Sequence, residues 1–131
     1  MKIIGVDTNV LISLRLKRDK QSKKTQSLFE DCLNERLQIY IPSIVIVETE
    51  WVLRFYYKQS KDEIIEFLEE ILLIKNVLMQ DKKLYRIVLE TFRTTNLDLI
   101  DCVIITQIQD FKVDKFLTFD ENLKKLYENK L

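Results

Sequence analysis

The residues best placed to do chemistry in this chain are carboxylates. KIIGV, residues 2–6, runs directly into Asp7, and KFLTF, residues 115–119, runs directly into Asp120. Glu48 lies within IVIVETEWVL and Asp101 within LDLIDCVII, each with apolar residues around much of its helical circumference, and Asp98 opens the second run. An ionised carboxylate among apolar side chains is costly unless it is paired, hydrogen-bonded or bound to metal. Neither Glu48 nor Asp101 has an evident cationic partner in the sequence. Arg54 is six residues beyond Glu48, on a different part of a helix surface, and no Lys or Arg occurs between Arg93 and Lys112. Acids gathered at one point repel one another unless a cation sits among them. Oxygen ligands without His or Cys suit hard ions, Mg²⁺ or Mn²⁺. Such ions act mainly on phosphate esters.

The plainer reading of three of these acids is structural. Asp7, Asp98 and Asp120 each precede a helical pattern, and Asp is a common helix N-cap. Composition narrows the chemistry from the other side. With His 0, no Ser-His-Asp or Cys-His nucleophile system, His-ligated zinc site or pair of histidine acid–base catalysts can exist. The single glycine, Gly5, excludes Gly-rich loops that cradle phosphates.

The elements that must position these acids follow from periodicity. Residues 2–6 read as a short buried strand, and Val10, Leu11 and Leu14 as a helix after it. Leu28, Phe29, Cys32 and Leu33 mark one face of a second helix, and residues 37–41 a second strand that Pro42 ends. Residues 44–55 carry an apolar pattern too long for a strand, which predicts a largely buried helix. Ser60 and Glu63 form a capping box before Ile64, Ile65, Leu68, Ile71 and Leu72. Residues 76–80 predict a third strand, Leu84, Ile87, Val88 and Thr91 a helix, and residues 97–108 a strongly apolar helix. Residues 116–119 predict a fourth strand, and Leu123, Leu126 and Tyr127 a last helix. Strands alternating with helices imply a parallel sheet covered on both faces. In such sheets sites lie beyond the carboxyl ends of the strands, where Asp7 and Asp120 fall.

At 131 residues the chain has the length of one domain, and 47% hydrophobic residues are enough for a core. Lys plus Arg and Asp plus Glu both total 21, so the chain is not globally basic. Its densest basic stretch, RLKRDKQSKK over residues 15–24, is either a solvated loop and helix start or a local patch for phosphate charge. Cys32 and Cys102 read as buried thiols in a reducing compartment rather than as a disulfide framework. The N-terminus is a poor signal peptide and no apolar run is long enough to span a membrane. A soluble, cytoplasmic protein is the expectation.

VDTNVLISL (residues 6–14), IPSIVIVETEWVL (41–53), LDLIDCVII (97–105) and FLTFDENLKKL (116–126) resemble, in order and spacing, the four acidic blocks of PIN-domain nucleases. The likeness is greatest to VapC-type toxin ribonucleases of type II toxin–antitoxin pairs, and it covers essentially the whole chain. It implies one PIN-like domain over residues 1–131, a three-layer αβα sandwich with a mostly parallel central sheet. It implies Mg²⁺- or Mn²⁺-dependent cleavage of RNA. Carried over by position, the acids that bind metal and do chemistry are Asp7, Glu48, Asp101 and Asp120, with Glu48 either a ligand or an acid that orients water. Asn9 matches the polar residue that steadies the first acid, Thr118 the hydroxyl residue two before the last acid, and Asp98 the first acid of the D-x-x-D form of the third block. Cys102 stands where members usually carry Ala, a small-for-small exchange. The resemblance also implies a cognate antitoxin and a homodimer.

Arg15 and Arg18 are the first candidates for RNA binding at the rim of such a site, and Lys124 and Lys125 the second. Trp51 and Phe55 fit core packing, whereas Tyr56 and Tyr57 fall at a helix end and could stack on bases or line a groove for a protein partner, of which the resemblance favours the groove. Two other functions stay open. A metal-dependent phosphatase would use Asp7 as nucleophile, although Asn9 stands where such enzymes usually want a second Asp. A non-catalytic PIN-like binding or scaffold module would not need all four acids.

Overall fold

The computed structural model describes residues 1–17 and 20–129. Among them the order is β1 (Ile3–Gly5), α1 (Thr8–Leu16), α2 (Ser22–Leu33), β2 (Gln38–Tyr40), α3 (Ser43–Phe55), α4 (Lys61–Leu73), β3 (Val77–Leu78), α5 (Lys82–Thr94), α6 (Leu99–Phe111) and α7 (Glu121–Asn129). This is an α/β chain, and it divides into two compact units, Met1–Lys82 and Lys83–Leu131.

In the first unit, β1, β2 and β3 form a parallel sheet in that order, with Ile3 opposite Gln38, Ile4 opposite Ile39, and Ile39 opposite Val77. Parallel neighbours need a crossover, and each crossover here is a pair of helices, α1–α2 and then α3–α4. Ile39 of the central strand and Val77 of β3 are buried, and so is Ile41 just beyond β2. The first strand does not meet the expectation of a buried strand. Ile3 is 57% exposed and Gly5 is exposed, and only Val6 at its end is covered. β1 pairs with β2 alone, so it is the edge of this sheet, and edge strands are covered less than central ones.

Helix α1 packs on α2 and α3, and α3 packs on α4. The predicted face of α4 is buried throughout: Ile64, Ile65, Leu68, Ile71 and Leu72, together with Phe67. Its capping box forms in both directions between Ser60 and Glu63. At the other end, Lys82 Nζ donates to the carbonyls of Ile74 (2.8 Å) and Val77 (2.7 Å), tying the exit of α4 to β3. A cation at a helix C-terminus also suits the helix dipole.

The second unit is helical among the described residues. Residues 116–119 carry no strand, so the fourth predicted strand is not formed. A strand exists only by pairing, and this unit holds no other strand for KFLTF to pair with. Leu117 and Phe119 are accordingly 75% and 95% exposed.

A chain with one glycine must make its left-handed turns from other residues. Lys17, Glu35, Lys58, Asp81 and Lys112 all have positive φ, between 52° and 61°. Lys17 and Lys112 are the C-caps of α1 and α6, positions where glycine is the usual choice. Gly5, by contrast, is not in the left-handed region, and a Cβ added there meets nothing within 4 Å. The left-handed conformation costs an L-residue about 1–2 kcal/mol, and the extra freedom of unfolded glycine takes back about 0.4–1 kcal/mol of any gain. Lys58→Gly and Lys112→Gly are therefore expected each to stabilise by about 0.5–1 kcal/mol. Gly5→Ala is expected to stabilise by about 0.4–1 kcal/mol for the opposite reason, a restricted unfolded state. Thermal melts of the three variants check this, with rises of about 2–4 °C expected.

Candidate active site

Four of the candidate acids, Asp7, Asp98, Asp101 and Asp120, sit at the starts of helices, and Glu48 lies within α3. In the first unit, β1 ends two residues before Asp7, which takes the N-cap of α1 and accepts a hydrogen bond from the Val10 N–H at 3.3 Å. Helix α1 begins at Thr8, whose buried hydroxyl donates to Glu48 Oε1 on α3. Asp7 and Glu48 are both exposed. Asp7 Oδ2 and Glu48 Oε2 accept no hydrogen bond from the described residues.

Exposure of Glu48 corrects the sequence reading of a carboxylate among apolar side chains. The buried face of α3 is Val45, Ile46, Thr49, Glu50 and Leu53. The acid on that face is Glu50, only 2% exposed, and it has the cation that Glu48 lacks: Arg54, one turn on, reaches its two oxygens at 2.6 and 3.3 Å. A buried carboxylate held by a two-pronged guanidinium is a structural pair. The spacing of four between Glu50 and Arg54 was the readable signal.

In the second unit, Asp98 occupies the N-cap position of α6, although its side chain makes no capping bond, and Asp101 lies in the first turn of that helix. Asp120 caps α7, accepting from the N–H groups of Asn122 (2.9 Å) and Leu123 (3.0 Å). Thr118 Oγ1 accepts from the Asp120 N–H at 3.1 Å, so the hydroxyl two residues before the last acid steadies the bend that carries it. Asp101 is half-buried. Burial first, then the charges of Asp120 and Asp98, push its pKa up from the ordinary value of 3.8. These three carboxylates feel one another and oppose ionisation of Asp101.

Such a donor set fits a hard divalent cation in its chemistry: it is all oxygen, and positive charge would relieve the repulsion. Within neither unit, among the described residues, do three His, Cys, Asp or Glu side chains stand close enough together to hold an ion. Asp7 and Glu48 belong to the first unit, Asp101 and Asp120 to the second.

The supporting residues are distributed differently from expectation. Asn9 is exposed and makes no hydrogen bond among the described residues, whereas Thr8 beside it bonds Glu48. No spacing rule marks Thr8, since its partner is 40 residues away. Arg15 is engaged within the first unit: it donates to Gln59 (3.0 Å) and Glu63 (3.5 Å) at the start of α4 and lies over the Phe67 ring. Arg18 is outside the described residues. Lys124 and Lys125 are exposed on α7. Trp51 and Phe55 are 46% and 47% exposed, which overturns their assignment to the core. With Tyr56 they form an exposed aromatic group, rings 4.9 and 6.0 Å from Trp51. They fall off the Ile46–Leu53 face that α3 buries. Cys32 and Cys102 are buried, as expected, and form no disulfide.

A sequence model of the PIN domain matches residues 4–129. The chain belongs to the PIN-domain family. It is 22% identical over 126 residues to a VapC ribonuclease of Aquifex aeolicus (strain VF5), an alignment that covers 96% of this chain and 92% of that protein. The fold expected of a PIN domain, α/β with parallel strands, is the one observed. Among the described residues no helix is long and apolar enough to cross a membrane.

The raised pKa of Asp101 makes a stability prediction for this PIN domain. The folded state holds that proton more tightly than the unfolded state, so stability is gained as pH falls through the raised pKa and is absent above it. Asp101→Asn keeps the site neutral at every pH. In metal-free protein it is expected to melt higher than wild type at pH 7, with the difference shrinking as pH approaches 3.8. Parallel melts of both proteins across that range, in a chelating buffer, test the sign.

Proposed function

We propose that this PIN domain is a divalent-metal-dependent endoribonuclease and the toxin of a type II toxin–antitoxin pair. The observation that carries the reading is the retention of all four block acids, Asp7, Glu48, Asp101 and Asp120, within a family match that spans nearly the whole chain. The mutual opposition of Asp98, Asp101 and Asp120 supports a site made to receive positive charge. The likeness to a VapC ribonuclease supports RNA as substrate. On this reading residues 1–131 make one domain, a three-layer αβα sandwich, acting in the cytoplasm.

Asp7, Asp101 and Asp120 would hold Mg²⁺ or Mn²⁺, with Glu48 as a further ligand or as the acid that orients water. When bound, such an ion neutralises charge on the phosphodiester and acidifies water. The chain's own residues do the rest. Asp7 keeps one oxygen on the α1 N-terminus and presents the other. Glu48, fixed by Thr8, aligns the attacking water opposite the leaving 3′ oxygen. Thr118 sets the backbone of Asp120. The products are 5′-phosphate and 3′-hydroxyl ends. Because water attacks rather than the 2′-hydroxyl, no histidine pair is required, in keeping with His 0.

The aromatic group of Trp51, Phe55 and Tyr56 is the surface we assign to a protein partner, a cognate antitoxin or a second copy of the chain. Exposed aromatics of this size are enriched at protein interfaces.

The decisive experiment pairs RNA cleavage with metal binding. Purified protein is expected to cleave an RNA panel with Mg²⁺ or Mn²⁺, to stop in EDTA and to recover on adding metal back. Loss of even an outer-shell metal partner commonly costs 10–100-fold, so Asp7→Asn is expected to lower cleavage by more than about 100-fold. Undiminished cleavage by Asp7→Asn overturns the assignment. No Mn²⁺ binding by calorimetry would favour a binding module, and a covalent phosphate on Asp7 would favour a phosphatase.

A further inference from the structure

We infer that Thr8 is a positioning residue for Glu48, fixing that carboxylate at the start of α1 so that its second oxygen is available for metal or water; the inference rests on the ribonuclease reading. Thr8 is 7% exposed and its hydroxyl donates to Glu48 Oε1. Glu48 is exposed, so water can solvate its charge and the fold does not need this bond to avoid a buried unpaired ion. What the bond does is remove freedom. A glutamate side chain is long, and holding it in one arrangement costs about 1.5–2 kcal/mol of rotamer entropy. A threonine in a helix has few χ1 choices, so its hydroxyl offers a nearly fixed direction to the carboxylate. A hydroxyl donating to an ionised carboxylate is also among the stronger hydrogen bonds.

The same backbone joint holds the other acid of this unit. Asp7, the residue before Thr8, gives one oxygen to the Val10 N–H. At one helix start, then, each of two site acids commits one oxygen to the protein and keeps the other. The relation between Asp7 and Glu48 is set by the single turn from Asp7 to Val10 rather than by the conformations of two exposed side chains.

The test uses five proteins: wild type, Thr8→Val, Thr8→Ser, Glu48→Gln and the Thr8→Val/Glu48→Gln double variant. Mn²⁺ affinity is read by calorimetry, RNA cleavage as kcat and KM, and folding by melting of metal-free protein. Thr8→Val matches threonine in shape and lacks the donor. It is expected to weaken Mn²⁺ binding and lower kcat by about tenfold, with KM for RNA unchanged. Thr8→Ser keeps the donor and is expected within about threefold of wild type, inside the spread usual for single interactions. In the Glu48→Gln background Thr8→Val is expected to have no further effect, because the residue acts through Glu48. A Thr8→Val protein that melts lower but binds Mn²⁺ and turns over RNA as wild type does overturns the inference and leaves the ribonuclease reading standing. Additive losses in the double variant also overturn it. A wild-type protein that neither binds Mn²⁺ nor cleaves RNA overturns the reading itself and the inference with it.

Discussion

A carboxylate is most cheaply held ionised where backbone N–H groups have no partner, and the first turn of a helix is such a place. Asp7, Asp98, Asp101 and Asp120 stand at such places in this chain, and Glu48, within α3, is bonded by the residue that opens α1. Asp7 caps α1, Asp98 and Asp101 stand at the start of α6, and Asp120 caps α7. At Asp7 the arrangement follows from the βα joint: a strand that ends and a helix that begins close together bring an acid to the positive end of a dipole. The chain supplies no lysine or arginine near Asp101 in sequence.

That support has a limit, and Asp101 marks it. Its half-buried position and the charges of Asp120 and Asp98 push its pKa up. Acids that serve the fold are partnered instead. Glu50 is far more buried but has Arg54 across both oxygens, and Glu63 is held below its ordinary pKa by the Ser60 hydroxyl and backbone. One helix-start acid is left with repulsion unrelieved while the acids that serve the fold are satisfied. Local disagreement of this kind is what functional sites show when the rest of a sequence is consistent with its fold.

Much of this was readable before any coordinates. The capping signals were strongest, because a cap is decided within four residues: Asp7, Asp120 and the Ser60–Glu63 box all sit where the sequence predicts. The α4 face was equally legible from its 3.6-residue period. Three features were not. The fourth strand failed because pairing is a property of two segments, and KFLTF carries strand-like residues whether or not a neighbour is present. Trp51 and Phe55 were assigned to the core by size, but position on the helix governs burial, and they fall off the Ile46–Leu53 face. The Thr8–Glu48 bond joins residues 40 apart, and one sequence contains nothing that couples them.

The scarcity of glycine and histidine then acquires a common physical reading. Without flexible glycine loops the chain turns through lysine, glutamate and aspartate at positive φ, and the starts of α1, α4 and α7 are fixed by side-chain caps. Without histidine no side chain titrates near neutrality unless its pKa is moved, and Asp101 is a side chain whose pKa is moved in that direction. The compositional exclusions and the acids at the helix starts therefore point the same way: the chemistry open to this chain rests on carboxylates, and the fold leaves one of them, Asp101, with its repulsion unrelieved.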